Sequence, residues 1–420
     1  MQRPGLADHR VSVQSPESAS STSSSVEGPN RDQSPTTILE TLPIPLTERL
    51  VAQFATRIAP TMMWRESESN EYRRLVVPLS DTQKGLKSAI IAIAAAHGCD
   101  EGIADHVISR AACRDALQII TDRVRNMIED GSDGQGTPCG SEPADTNEAV
   151  LAAALILKNH SLLYSELPSA QIHRQAVRVL IKSILFRGPS DEELFSFLRN
   201  QASIHDVLTC TTMFDAEHIV EAVVPDLKYR SLLFSKFLLI IHDITTMSVR
   251  RECSAVQDLQ ININEIEDRF ELARASTLAA AAEDNRTCNI VTDDDFVRLV
   301  QVYHHAGVLY ALKRLSIPNH HRDEEYHVLR LFRALSNFED LESALYNLPW
   351  PVLIAGICSW PNVERMQMVS RLSNSITENT RFRHYRNISA FHQTLWESSH
   401  RDWLLLAKEW ESRQIPVVAV

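Results

Sequence analysis

The sequence predicts an all-α fold, a large array of about a dozen helices with no significant sheet. Only 12 glycines and 18 prolines occur in 420 residues, too few for the many hairpins or repeated βα turns of a sheet protein. Long runs of alanine and leucine favour helix. Apolar residues also recur at helical rather than alternating spacing. A chain of this length can bury a sizeable core.

The first predicted helix covers residues 46–59, where the apolar side chains share one face. Pro60 should end it because proline has no backbone N–H. The second predicted helix starts at Ser80-Asp81, a natural N-cap pair, and runs to His97. Its segment Ala89–Ala96 is apolar all round, so we expect this helix to lie at the centre of the fold.

Two more helices follow in the middle of the chain. Residues 147–163 contain nine consecutive apolar residues and predict another fully buried helix. Residues 176–186 carry an apolar stripe that Gly188-Pro189 should stop. Ser190 and Glu193 have the spacing of a capping box, which predicts that the next helix starts there.

The best-formed helix is predicted over residues 293–314. Its first turn holds Asp293–Asp295 and its last turn Lys313 and Arg314, which complement the two ends of the helix dipole. The apolar stripe of this helix consists of Phe296, Leu299, Val300, Tyr303, Ala306 and Tyr310. Further helical patterns cover residues 101–128, 229–247, 259–282, 324–345, 362–378 and 385–410. No internal repeat of fixed period occurs.

The domain organisation follows from two segments that lack a helical pattern. Residues 1–36 hold nine serines, several prolines and almost no aliphatic side chains. This composition predicts a disordered Ser/Pro-rich tail. Residues 129–146 contain four of the twelve glycines and predict a flexible loop between helices. The remainder, residues 37–420, is predicted to be one helical domain.

Charge and composition exclude several classes of protein. With 42 Lys and Arg against 54 Asp and Glu, the net charge is −12, which disfavours bulk binding to nucleic acid. The seven cysteines are odd in number and widely spaced, so a reducing compartment fits better than a disulfide framework. The N-terminus has no signal-peptide pattern. The longest uncharged stretch, Ser343–Val363, contains three prolines, and no membrane span is expected.

Two His-Asp pairs, His205-Asp206 and His242-Asp243, are the sharpest catalytic candidates. Helical metal-dependent hydrolases of the HD type hold a metal ion with such a pair and further His and Asp ligands. The alternative is an aspartate that orients a partly buried histidine or caps a turn, and we favour it because no nearby helix supplies further inward ligands.

Two other histidine-rich segments have metal-capable side chains. His320, Asp323, Glu324 and His327 would share one side of a helix, yet acidic residues at a helix start are explained by the dipole alone, so we favour a solvated helix start. His304 and His305 are neighbours that point about 100° apart. We therefore expect one of them to face the core and the other to be exposed, with no shared ion.

No catalytic residue, cofactor site or metal site is predicted. The sequence contains no nucleophile elbow, no phosphate-binding glycine loop and no zinc-protease motif. The basic and aromatic run Arg381–Arg386 is interpreted as a solvated face or a partner-docking edge rather than a nucleic-acid contact. The cluster Leu348–Pro351 with Gly356 and Trp360 predicts a core corner with close helix approach, and a ligand cavity nearby is the alternative.

The order and spacing of several segments resemble the fungal-specific transcription factor domain over roughly residues 40–410. The matching segments are Leu50–Phe54 leading to Arg57–Pro60, Tyr72–Leu79, Ala89–His97, Phe197–Val207, Leu348–Pro351 with Ala355-Gly356, and the spaced Trp396 and Trp403. The resemblance implies the all-helical regulatory part of a zinc-cluster regulator, acting in the nucleus on RNA polymerase II genes.

The zinc cluster that usually begins such regulators has six cysteines, and no cysteine precedes Cys99 in this sequence. Direct DNA binding is therefore not carried over. Either the cluster is missing through truncation, or the chain contacts DNA only through a partner. We predict a regulator that responds to a small-molecule effector or a protein partner, with an HD-type metal hydrolase and a homodimeric scaffold as the alternatives.

Overall fold

A computed structural model describes residues 37–65, 70–99, 102–129, 146–227, 233–253, 262–288, 294–318 and 320–420. Every regular element within those ranges is helical, which confirms the all-α prediction. The predicted tail, residues 1–36, and most of the predicted loop 129–146 lie outside the described residues.

The α-helices are, in chain order, α1 Ile38–Thr41, α2 Ile44–Gln53, α3 Val77–Leu79, α4 Lys84–Gly98, α5 His106–Glu129, α6 Asn147–Leu163, α7 Leu167–Arg187, α8 Glu192–Cys210, α9 Ala216–Val220, α10 Ser235–Cys253, α11 Ile263–Cys288, α12 Asp294–Arg314, α13 His321–Ser336, α14 Leu341–Ala344, α15 Pro349–Ile357, α16 Val363–Thr380, α17 Arg386–Glu397 and α18 Trp403–Ser412. Shorter π-helical turns cover Phe54–Ile58 and Tyr72–Val76. Shorter 3₁₀ turns cover Ala59–Met62, Leu345–Asn347 and Arg383–Tyr385.

The first core lies in the N-terminal half and is built on α4 and α6. Residues 89–95 of α4 and residues 149–157 of α6 are almost completely inaccessible to solvent, as their uninterrupted apolar sequence predicts. α2, α5 and α7 pack around this pair and cover it. Burial on all sides explains why neither helix has a polar face.

The second core lies in the C-terminal half around α12. The whole predicted stripe of α12 is buried against α10, α11, α13 and α15. Trp350 on α15 is fully buried and stacks on Tyr303 of α12, which confirms the predicted core corner. A Cβ built on Gly356 would lie 2.1 Å from Nε2 of His392 on α17, which confirms the predicted close approach at this glycine.

The helix α8 belongs to both cores. Its first half places Phe197 and Leu198 in the N-terminal core, and its second half places Val207 and Leu208 in the C-terminal core. A single helix therefore positions side chains between the two halves, and the candidate site described below lies along it.

Two predicted helix caps were wrong because the capping side chains bind elsewhere. α4 begins at Lys84, since the hydroxyl of Ser80 donates back to the carbonyl of Val77 at 2.6 Å and caps nothing downstream. α8 is capped by Asp191, whose carboxylate accepts the Leu194 N–H at 3.0 Å. The hydroxyl of Ser190 instead donates to Glu148 on α6 at 2.7 Å.

Other predicted boundaries also shifted. The predicted helix 324–345 ends at Ser336 and restarts at Leu341, and the predicted helix 385–410 is interrupted between Glu397 and Trp403. The predicted helix 46–59 continues through π and 3₁₀ turns to Met62, with Pro60 inside the 3₁₀ turn. The helix predicted over 176–186 begins nine residues earlier, at Leu167, with a proline in its first turn, where the backbone N–H has no helical partner to lose.

Candidate functional site

A cavity of about 700 Å³ lies between α6, α7, α8, α18 and the C-terminal segment. This volume is in the range of small-molecule binding sites. Its apolar lining consists of Leu162, Leu167, Pro168, Ala170, Ile172, Met213, Pro416 and Val418. The other twelve lining residues are polar or charged, and Lys158 and His205 are among them.

Lys158 is the most unusual of these side chains, because it is a lysine with only 5 % of its surface exposed. Within the described part of the chain, its ammonium group has no hydrogen-bond or ion-pair partner. Burial lowers the pKa of Lys158 well below its usual value, while Asp206 opposes this shift and Arg174 adds to it. An unpaired buried cation is costly, so this position favours an anion from outside the chain.

His205 stands beside Lys158 on the neighbouring helix α8 and also lines the cavity. Its Nδ1 atom is enclosed and has no hydrogen-bond partner among the described residues. Burial lowers the pKa of His205 well below its usual value, and the nearby Lys158 and His384 act in the same direction. The neutral ring can donate or accept one hydrogen bond to a ligand.

Asp206, the other half of the first His-Asp pair, is fully occupied by structural contacts. Arg178 donates to it through Nε and Nη2, both at 2.8 Å, Arg174 donates through Nε, and the backbone N–H of Val223 donates at 2.7 Å. Burial would raise the pKa of Asp206, but the two arginines and the Val223 N–H together lower it. The carboxylate therefore balances buried arginines.

The second His-Asp pair is divided between two environments. Asp243 is half-exposed and pairs with Arg269 at 2.5 Å, whereas Nδ1 of His242 is enclosed without a partner among the described residues. Over the described ranges, neither pair belongs to a group of three or more side chains that could hold a metal ion. The interpretation of these pairs as structural groups is therefore the better one.

The histidines of α12 differ from the prediction, because His304 and His305 are both buried. Their rings stand at 88° with centroids 4.8 Å apart, and α13 brings His327 against them. The prediction that one of them is exposed was wrong because this part of α12 is covered on all sides, so directions 100° apart both face protein. The start of α13 is polar, with His320 paired to Asp323 and Glu324 paired to Lys313. The predicted solvated face was wrong for His327, which is buried.

The basic run Arg381–Arg386 is not a free surface. Arg381 donates to the carbonyl of His97 at 2.7 Å, and Nδ1 of the buried His384 lies 3.1 Å from the carbonyl of Leu162. The hydroxyl of Tyr385 donates to the carbonyl of Val420. The segment therefore connects α4, α6 and the C-terminus. Arg383 and Arg386 are exposed, so the prediction of a solvated or partner-docking edge was wrong only for the residues that make these internal contacts.

A small cavity lies beside the proline and tryptophan cluster. About 70 Å³ is enclosed between Trp350, Tyr303 and Asn159, among others, which has room for a few water molecules. A larger cavity lies elsewhere, beside Lys158. The sequence offers one signal for it, a single lysine directly after the apolar run of α6.

The sequence profile of the fungal specific transcription factor domain matches residues 49–412 of the chain. The chain belongs to this family. Membership in the fungal specific transcription factor domain family gives the chain a regulatory role in transcription and implies a nuclear protein that acts through protein or DNA interactions. No curated protein and no solved structure matched the chain in the corresponding comparisons. Over the described residues, no helix has the length and apolar character to cross a membrane.

Proposed function

We propose that this chain controls RNA polymerase II genes in the nucleus and that a small organic anion bound beside Lys158 sets its regulatory state. The observation that carries the effector proposal is the buried, unpartnered ammonium group facing a 700 Å³ cavity, over the residues described. The effector is a carboxylate with an apolar body. Its anionic end meets Lys158 and His205, and its apolar part fills the space between α7 and the C-terminal segment.

The charges nearest Lys158 support an anionic ligand. The two acidic residues on the same cavity wall are already engaged, since Asp215 caps α9 and Glu411 accepts the N–H of Phe214. Arg174 and Arg178 already share the carboxylate of Asp206, so these three groups carry one positive charge in excess. Lys158 would add a second positive charge when protonated. Since a charge-assisted hydrogen bond contributes about 1.5–3 kcal/mol, an anion at this position gains affinity and restores the lysine to its charged form.

The proposal is tested by thermal shift and calorimetric titration of the purified chain with octanoate and phenylacetate. Their amides, octanamide and phenylacetamide, serve as uncharged counterparts. We expect the carboxylates to raise the melting temperature and the amides to have little effect. Lys158→Met should weaken carboxylate binding by roughly 10- to 100-fold, since about 1.4 kcal/mol corresponds to tenfold in affinity.

Lys182→Met is the matched control, because Lys182 lies on α7, is exposed and pairs with Glu221. It should bind carboxylates as the wild type does. Failure of every carboxylate to stabilise the wild type, or equal binding by acid and amide, would overturn the effector proposal. In a reporter assay with the chain tethered to an unrelated DNA-binding domain, Lys158→Met should abolish the response to the active carboxylate.

DNA contact is assigned to a partner or to a zinc cluster outside the given sequence. The net charge of −12 supports this assignment, as do the internal contacts of Arg381 and His384 in the basic run. A gel-shift experiment with the chain alone should show only weak, non-selective binding at physiological salt. Tight and sequence-selective binding would contradict the assignment.

The partner surface is assigned to α7, where three exposed apolar side chains repeat every seven residues. Ile172, Val179 and Phe186 are 65 %, 46 % and 91 % exposed. Residues seven apart lie on one face of a helix, so these side chains form one apolar stripe, and a second copy of this chain supplies the complementary stripe. Ile172 also lines the cavity beside Lys158. Light scattering should show a dimer, and Phe186→Glu should dissociate it. Leu272→Glu, which changes an exposed side chain on α11, should leave the dimer intact. A monomer at all concentrations would contradict the assignment.

A further inference from the structure

Three imidazole rings from two helices meet in the C-terminal half of the protein. His304 and His305 on α12 and His327 on α13 are all buried, and one ring nitrogen of each lies within 4.8 Å of the other two. The Nδ1 atoms of His305 and His327 are 3.0 Å apart. Three neutral imidazoles in this arrangement are a ligand set suited to a divalent transition metal.

Glu267 on α11 orients one of these rings. Its Oε1 atom lies 3.1 Å from Nε2 of His327. Because an ionised carboxylate only accepts hydrogen bonds, the proton of His327 sits on Nε2 and the lone pair of its Nδ1 faces the other two rings. Carboxylate groups hold metal-bound histidines in this way in many metalloproteins.

His304 supplies an independent observation. The backbone of Phe270 hydrogen-bonds its ring, while its Nδ1 atom is enclosed and has no hydrogen-bond partner among the described residues. The nearest carboxylate oxygen, on Glu271, is 3.9 Å from this Nδ1, too far for a hydrogen bond. A buried polar atom without a partner costs free energy, and a metal ion would satisfy it.

The charges around the three histidine rings favour a bound cation. Glu267, Glu271 and Asp323 face the three rings, and Arg274 and Arg330 are the cations nearby. Glu271 is held by Arg274 through two hydrogen bonds, and Asp323 is paired with His320. Among the described residues, Glu267 is left with no arginine or lysine partner.

We propose that His304, His305 and His327 form a binding site for one divalent transition metal ion of the zinc type, with Glu267 as the group that orients His327. Ligand nitrogens of a tetrahedral zinc site lie about 3.4 Å apart, so rotations of the rings by about 1 Å at the nitrogens bring the three together. The ion would tie α12 to α13 and, through Glu267, to α11. Its role is to fasten the C-terminal core, and the fourth coordination position belongs to water.

The test uses the full chain, stripped with a chelator and then titrated with Zn²⁺ and with Co²⁺ as a spectroscopic probe. We expect one ion per chain, an increase in melting temperature with Zn²⁺, and Co²⁺ absorption bands typical of tetrahedral nitrogen coordination. Mg²⁺ should produce none of these effects because it prefers oxygen ligands. Absence of one-to-one Zn²⁺ binding in the wild-type chain overturns the proposal.

Variants locate the site. His305→Gln and His327→Gln should each abolish the Co²⁺ bands, and Glu267→Gln should weaken binding by about 10- to 100-fold while keeping one ion per chain. His320→Gln, at the start of the same helix α13 but outside the cluster, is the matched control and should bind as the wild type does. Unchanged binding by both folded ligand variants overturns the site. If circular dichroism shows that a ligand variant is unfolded, the Zn²⁺ affinity of Glu267→Gln becomes the deciding measurement. An affinity equal to that of the wild type would count against the proposal.

Discussion

Arg178 binds Asp206 through two parallel hydrogen bonds, from Nε to Oδ2 and from Nη2 to Oδ1, both 2.8 Å long. The pair lies in the interior and joins α7 to α8. Arg178 also donates to the carbonyl of His218 within α9 at 2.8 Å, and Asp206 accepts the N–H of Val223 after α9, so the same two side chains hold the α9 region in place. Asp206 is also close enough to Lys158 to oppose the lowering of the Lys158 pKa.

Asp206→Asn should lower the free energy of unfolding by about 3–5 kcal/mol, because it leaves two buried arginines without their counter-charge. Urea unfolding followed by circular dichroism measures the change. Asp243→Asn is the control, since Asp243 and Arg269 form a half-exposed pair for which we expect less than about 1 kcal/mol. Equal effects of the two substitutions would contradict the structural role of Asp206.

Gly356→Ala should destabilise the protein although alanine is the better helix former by about 1 kcal/mol. The added Cβ would lie within 2.1–2.4 Å of three atoms of the His392 ring, and overpacking of this kind costs about 1–3 kcal/mol. A double-mutant cycle with His392→Ala should show coupling, with the alanine at 356 tolerated once the ring is removed. Additive effects would show that the ring is not the obstacle.

Stability should fall in acid because several buried histidines are neutral in the folded protein. Burial, with His173 nearby, lowers the pKa of His160 from 6.5 to about 4. The folded-state pKa is thus below the unfolded one, so the stabilisation is complete above pH 6.5 and is lost as the pH falls towards 4. His384 and His392, with pKa values lowered by burial to about 3 and about 4, act in the same direction.

His160→Gln isolates one of these contributions and keeps a donor for the hydroxyl of Ser109, which lies 2.9 Å from Nε2. Between pH 7 and pH 5, the wild type should lose roughly 2 kcal/mol more stability than the variant, at about 1.36 kcal/mol per pKa unit. Urea titrations at the two pH values give this difference. Parallel losses in the two proteins would show that His160 does not titrate in this range.

Val417→Ala should cost roughly 2 kcal/mol, since two methyl groups of a side chain only 2 % exposed are removed. Its carbonyl accepts a hydrogen bond from Thr212 at 2.6 Å, which keeps the C-terminal segment in place. Ile415→Ala, on the same segment but 46 % exposed, should cost about 0.5 kcal/mol or less. Thermal or urea unfolding compares the two, and a reversed order would show that the segment is not anchored at Val417.

Uninterrupted and strongly periodic apolar segments made most of the fold predictable. α4, α6 and α12 were predicted with their buried faces because burial depends on the local pattern. Helix starts were less predictable, because Ser190 could be read as a cap until Glu148, 42 residues earlier, was seen to accept its hydroxyl. The local sequence does not determine which hydrogen-bond partner a serine hydroxyl takes in the folded protein.

The candidate sites were less predictable than the fold. Lys158 follows an apolar run, a position equally consistent with a lysine that reaches solvent, and the cavity wall includes residues as distant as Val418. The histidine cluster was dismissed from the angle between His304 and His305, although His327 of the next helix completes it. Both sites are formed by the tertiary packing of several helices, which the local sequence pattern does not determine.

The sharing of α8 between the two cores has a mechanical consequence. If either half came apart, one end of α8 would be left with its apolar side chains in water, so the halves should melt in a single cooperative transition. A ligand bound near the middle of α8 would then change the stability of both halves of the protein without a hinge motion. Neither half alone could therefore act as an independent sensor.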